Sequence, residues 1–201
     1  MPIEDLNVLT TSSPVGTTAL LLVACSMLVA SEIAHPADWQ LDPAGSKLEY
    51  IATVQKNRAS GIFRQFDMHV RFDANRPADT LVDATVATAS ADMIDPDVNK
   101  TIRGPDWFES ARFPRAVFRA SDVRRAEDGR YVARGTLTVK GIEQPVEIPF
   151  VWTTDADTAT ITGEWTLKRA SFRIGLGEWG SPEVVGPDVT VKFSVRLRRT
   201  D

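Results

Sequence analysis

Val189-Thr190-Val191-Lys192-Phe193-Ser194-Val195-Arg196-Leu197-Arg198 alternates apolar and polar residues without a break. Every odd position is apolar and every even one polar. Period-two patterning places the apolar side chains on one face of an extended strand, whereas a helix of 3.6 residues per turn would scatter them around its axis. A second run, Phe66-Asp67-Met68-His69-Val70-Arg71-Phe72-Asp73, carries the same pattern with its apolar residues at even positions. Weaker alternation recurs at 46–54, 81–90, 116–123, 131–139, 146–153 and 159–168.

Turn-forming residues stand between these runs: Asp42-Pro43-Ala44-Gly45, Ala74-Asn75-Arg76-Pro77, Glu127-Asp128-Gly129, Lys140-Gly141 and Thr154-Asp155-Ala156-Asp157. Pro fixes φ, Gly opens positive φ, and Asn and Asp bond to their own backbone, so each cluster punctuates a strand. Residues 140–145 read as a hairpin connection between Leu137/Val139 and Val146/Ile148. The best short-helix segment is 97–110, which Gly104-Pro105 breaks. Eight strands with short links predict an all-β, mostly antiparallel domain, either a closed barrel or a sandwich. An eight-stranded barrel can be filled by its own side chains or can hold one small ligand, and the strand count leaves both open.

The chain has 201 residues, 43% hydrophobic and 25% charged, with a net charge of −4. That length fits one domain, or at most two small ones, and no overall basic field points to nucleic acid. One Cys closes no intrachain disulfide and builds no Cys-rich zinc site. No Lys or Arg precedes Lys47, and residues 15–30 carry no charge. This apolar stretch is short for a membrane span but suits the core of a secretory signal. Residues 1–37 are therefore read as a leader and 38–201 as the folded domain, exported to the periplasm or secreted. The leader lacks the usual positive start and ends in no clean A-x-A triplet. Cys25, in Leu22-Val23-Ala24-Cys25, resembles a lipoprotein acylation site, although the apolar residues following it favour an ordinary signal core. Beyond the leader, 24 acids face 23 bases, so the domain is almost neutral.

The order of local motifs from Trp39 to Arg198 resembles the YceI family of lipid- and polyisoprenoid-binding proteins. Trp39-Gln40-Leu41-Asp42 with Ser46-Lys47-Leu48 resembles its opening motif, and Gly61-Ile62-Phe63-Arg64-Gln65-Phe66 its G-x-F-x-x-F. Trp107-Phe108, Phe113-Pro114 and Phe118-Arg119-Ala120-Ser121 follow in family order. So do Gly135-Thr136-Leu137-Thr138-Val139-Lys140-Gly141, Arg169-Ala170-Ser171-Phe172-Arg173-Ile174-Gly175 and the closing strand from Asp188. The segment 91–104 matches only loosely, around Asn99 and Arg103. The resemblance implies an extended, lipocalin-like eight-stranded antiparallel barrel with a short helical segment. It further implies a long-chain isoprenoid lipid inside the barrel, of polyprenyl or quinone type, bound for transport or storage, and no cofactor. Such a ligand would bring the protein near a membrane; a homodimer stays open.

A cavity for such a lipid needs an inward apolar lining with few polar groups. Phe63, Phe66, Met68, Val70, Trp107, Phe172 and Phe193 are the candidates, because they fall on alternating faces or motif segments and the aromatic ones offer broad surfaces. A head group would want donors near the opening. Arg169 is the leading choice among Arg58, Arg64, Arg103, Arg169 and Arg173, although closing a strand end would suit it equally. Catalysis lacks a constellation: His69 falls on the polar side of its strand, and His35 lies in or beside the leader. Asp92, Asp95 and Asp97 fail the EF-hand spacing, and no metal ligand set is assigned. The chain is thus read as a binder rather than an enzyme. The alternatives are an isomerase or hydrolase acting on a hydrophobic substrate, and a non-catalytic partner of a membrane redox protein.

Overall fold

A computed structural model describes residues 37–200. Most of the leader, with Cys25 and His35, lies outside the described residues. Ten strands and one α-helix are present among the described residues: β1 (Ala37–Val54), β2 (Asn57–Phe63), β3 (Phe66–Phe72), β4 (Leu81–Ala87), β5 (Ala91–Asp92), α1 (Pro96–Ile102), β6 (Arg115–Arg125), β7 (Tyr131–Val139), β8 (Ile142–Asp155), β9 (Thr158–Lys168) and β10 (Val185–Arg199). β2 and β3 run as one stave broken at Arg64-Gln65: β1 pairs with β3 through Trp39–Val70 and with β2 through Tyr50–Gly61. β4 and β5 are likewise one stave interrupted by a 3-10 turn at Thr88–Ser90. Counted so, eight staves form a meander in sequence order, and antiparallel pairing of β1 with β10 closes it. Closure removes the unpaired edges that would otherwise invite association.

The structure redraws several element boundaries. Asp42-Pro43-Ala44-Gly45 is not a turn but a bulge inside β1: Asp42 pairs with Arg196 and Lys47 with Ser194, so the excess residues loop out of the ladder. Pro43 has no N–H to lose there. The predicted 140–145 connection is tighter than expected. Lys140 and Gly141, at φ 52° and 71°, form a two-residue turn, and β8 already begins at Ile142. Positive φ at both central positions matches the twist of the flanking strands. The helix ends at Ile102 rather than near Ser110, ahead of Gly104-Pro105. Its first turn is capped by Asp95, whose carboxylate accepts from the N–H groups of Asp97 and Val98.

One end of the barrel is plugged by aromatic rings. Phe72 stands edge-on to Tyr131 at 5.1 Å and lies 4.4 Å from Trp152; Tyr131 stacks on Phe150 at 5.5 Å, and Trp39 meets Trp152 at 5.5 Å. Val70, Val82, Val123, Val195 and Leu197 fill the space between them. Such ring pairs add about 0.5–1.5 kcal/mol each beyond the area they bury. The β1–β10 seam beside this end is latched by Asp42. Its carboxylate accepts from Arg198 at 3.0 Å, while the Ser46 hydroxyl donates to the Asp42 carbonyl and accepts from the Arg196 N–H. Chiefly through Arg198, the Asp42 carboxyl is held below the usual carboxylate range.

Candidate functional site

Burial changes along the inward faces. On β10, Leu197 and Val195 are 0% and 4% exposed, but Phe193, Val191 and Val189, on the same face, are only half-buried. On β3, Phe72 and Val70 are 3% and 1% exposed, whereas Met68 and Phe66 are half-buried. Alternation points all of them inward, so the remaining exposure is to space inside the barrel. That space is a cavity of about 580 Å³, running from the aromatic plug toward α1 and the β1–β2 hairpin. The volume falls within the range of small-ligand pockets, about 300–1,000 Å³. A packed protein interior leaves few voids larger than a water molecule.

Strand alternation and local turns build the walls. Leu48, Tyr50, Ala52 and Val54 are successive inward positions of β1, and Val189, Val191 and Phe193 face the cavity from β10. α1 contributes Val98 and Ile102, and the segment after it brings Trp107 and Phe108. Tyr50, Phe63 and Phe108 form a chain of ring contacts at 5.0 and 5.8 Å, and Trp107 approaches Trp179 at 5.7 Å. α1 is tied down by Asp92, which accepts from Asn99 Nδ2 and the Ile94 N–H and pairs with Arg64. These contacts, Asn99 first, bring the Asp92 carboxyl down to about 2.

Of the residues expected to touch a ligand, Phe63, Phe66, Met68, Val70, Trp107 and Phe193 line the cavity. Phe172 does not. It is 2% exposed and packs with Val139 and Ile174, because a 3-10 turn over Arg169–Phe172 replaces the strand geometry that would have aimed it inward. Arg169 borders the cavity but is 3% exposed, and its guanidinium is fully spent. Nε donates to the Gly186 carbonyl, Nη1 to those of Ile174 and Gly175, and Nη2 to those of Trp179 and Val185. Arg has five N–H donors, and all five are used. Its place is structural: it knits the 169–186 segment onto the start of β10. Arg64 pairs with Asp92, and Arg58, Arg103 and Arg173 are exposed. His69 is exposed and lies 3.6 Å from Asp38.

Sequence reasoning missed part of the lining. Leu48, Tyr50, Phe118 and Leu137 were legible from alternation within their runs. Trp179 had no such signal, since it ends a short 3-10 turn, Gly177–Trp179, whose last carbonyl Arg169 binds. Tyr50 has a second feature. Its ring lies over Gly61, where a Cβ would come 2.4 Å from the phenolic oxygen, and burial aided by Asp92 pushes the phenol's pKa up.

Comparison with known proteins places this geometry. The family model for the YceI-like domain matches residues 39–197. A UPF0312 protein of Photorhabdus laumondii is 31% identical over 181 residues, covering 85% of this chain and 89% of its own length. Protein YceI of Escherichia coli is 27% identical over 173 residues, covering 83% and 87%. Among solved structures, Burkholderia cenocepacia BcnA superposes with a TM-score of 0.75 at 31% identity, covering 78% of this chain and 98% of BcnA. A polyisoprenoid binding domain from Saccharophagus degradans superposes with a TM-score of 0.67 at 15% identity, covering 83% and 100%, and shares the fold. With its motifs, barrel and matched span in agreement, the chain belongs to the YceI-like domain family.

Proposed function

We propose that this protein binds an isoprenoid amphiphile, of polyprenyl or quinone type, inside the barrel and holds it for transport or storage. The observation that carries the proposal is the fall in burial along single inward faces, from Leu197 to Val189 and from Phe72 to Phe66. A barrel stabilised only by its own side chains would bury these positions evenly. A flexible hydrocarbon chain would cover the half-buried half of each face, at about 25 cal/mol for each Å² removed from water. Family membership and the Saccharophagus degradans neighbour, described as a polyisoprenoid binding domain, support the same ligand class. The chain works in this reading as a binder and not a catalyst. Its place is the periplasm or beyond, which the apolar leader supports, close to a membrane that supplies or receives the lipid. Protein purified from its native host without detergent, extracted with organic solvent and examined by lipid mass spectrometry, is expected to release an isoprenoid. An extract free of lipid would contradict the proposal.

A further inference from the structure

We propose that the α1 end of the barrel is a membrane-docking face that seats on an anionic phospholipid bilayer, so that the cavity opens into lipid rather than water. What passes through that opening rests on the isoprenoid reading. The docking itself stands on two features of the surface.

The first is where apolar side chains are exposed. Among the described residues, Leu81, Ile94, Val98, Val151 and Leu176 are the large apolar side chains left exposed. Three of them belong to the α1 end. Ile94 precedes α1, and Val98 lies on it and also borders the cavity. Leu176 donates its N–H to the Asp106 carbonyl, in the segment that follows α1. Ile94 is 90% exposed at a φ of 73°. A β-branched residue in the left-handed region is strained, and the strain persists only where its surroundings impose it. Here they do: the Met93 N–H donates to Asn99 Oδ1, the Ile94 N–H donates to Asp92 Oδ1, and Asp95 caps the helix. This corner holds Met93 against the cavity and Ile94 out from the surface.

The second is where cations lack partners. Along the barrel wall they are paired: Lys47 with Glu49, Arg119 with Asp83, Arg124 and Arg134 with Glu147, Lys168 with Asp188 and Lys192 with Glu164. Lys56 and Arg58 of the β1–β2 hairpin, Lys100 and Arg103 of α1 and its cap, and Arg173 are exposed and form no ion pair among the described residues. Elsewhere only Arg115 and Arg125 stand so. The hairpin joins this end through the Gln55 N–H, which donates to the Val184 carbonyl, and Arg173 through Lys140, whose Nζ donates to the carbonyls of Pro105 and Arg173. The acids here are mostly engaged: Asp92 with Arg64, Asp95 in the cap, Glu109 with Arg112 and Glu183 with Ser181. Asp97, Asp106 and Glu178 are left against the five cations. Apolar tips among unpaired Lys and Arg suit an interface where side chains enter the acyl boundary and cations meet lipid phosphates. Val98 makes that face continuous with the cavity, so hydrocarbon would cross from bilayer to barrel without entering water.

The test places an environment-sensitive fluorophore on Ile94→Cys in the full chain carrying Cys25→Ser, with the same label on Val151→Cys, on the barrel side, for comparison. Vesicles of phosphatidylethanolamine and phosphatidylglycerol are expected to shift the label at 94 to the blue and expose it to quenching by doxyl lipids, while the label at 151 stays in water. A label at 94 that stays in water, or the two responding alike, would overturn the docking face. Reported by a label on Leu176→Cys, Ile94→Asn should raise the vesicle concentration for half-maximal response about 10-fold. Asn suits the left-handed backbone, so this variant should melt no lower than its parent. Lys100→Gln and Arg103→Gln should each raise that concentration about fivefold. No change in any of the three would overturn the proposal. Uptake of geranylgeraniol without vesicles, followed by the fluorescence of the cavity tryptophans, separates the two readings. Uptake without docking would overturn the docking face alone, and docking without uptake the isoprenoid reading alone.

Discussion

Ala84→Phe and Ala120→Phe are the same chemical change at two inward positions of one barrel, and their effects on stability should have opposite signs. Ala84 lies on β4 between Met68 and Phe118, all three bordering the cavity, and is half-buried. Ala120 is 6% exposed in the plugged half, among Val82, Val123 and their neighbours. Fully burying a Phe side chain is worth about 1.5–3 kcal/mol. At Ala84 the ring enters open space and buries part of its surface, so a gain of about 1 kcal/mol is expected. At Ala120 there is no space, and overpacking costs about 1–3 kcal/mol. The two variants should therefore differ by about 2–4 kcal/mol in urea unfolding at unchanged m-value. Ala84→Phe should also lower the bound-lipid stoichiometry, because the ring occupies the ligand's volume. If both variants lost stability by similar amounts, the half-burial of Met68, Phe66 and Val191 could not reflect an internal cavity, and the functional proposal would fall with it.

Other perturbations probe the frame around the cavity. Arg169→Leu strips five donors from backbone carbonyls and should cost about 3–6 kcal/mol in denaturant unfolding, with Arg169→Lys recovering little because an ammonium cannot reproduce the planar fork; a loss under 1 kcal/mol would show that these bonds do not hold the 169–186 segment. Asp42→Asn should leave a protein whose melting temperature depends less on acid. The folded Asp42 carboxyl is held below its ordinary value, chiefly by Arg198, so its contribution is present above the usual carboxylate range and lost as pH falls through the lowered value. Parallel melting profiles for the variant and its parent below about pH 4 would contradict that role. Gly135→Ala places a Cβ 2.1 Å from the Arg119 carbonyl oxygen, so β6 and β7 must separate locally; a cost of about 1–3 kcal/mol is expected, and a neutral result would refute the close approach.

The fold was legible because its decisive physics is local. Ten residues of unbroken alternation at 189–198 admit a strand and little else, and both long runs became inward faces of a closed sheet. Turns were legible where Gly or Asn-type residues supplied special backbone angles. They misled at Asp42-Pro43-Ala44-Gly45, because a bulge and a turn use the same residues and only the partner strand distinguishes them. The lining was legible on strands and failed where strands ended. Phe172 looked like a ligand contact, but its side chain follows a 3-10 turn. Arg169 looked like a head-group donor, and what saturates it is a set of carbonyls up to 17 residues away that no sequence pattern records. Hollowness itself left no trace in composition: the same Val, Phe and Met residues would serve a filled core equally well. It emerges from strand spacing and barrel size, which set whether side chains meet across the axis.

The most direct measurement is the electron density inside the barrel of crystals grown from protein purified from its native host without detergent. Continuous density is expected from the plug at Phe72 and Trp152 to the opening beside α1, shaped as a branched hydrocarbon. A collapsed interior, with Phe66, Met68, Val191 and Phe193 repacked across the axis and no ligand between them, would contradict the account.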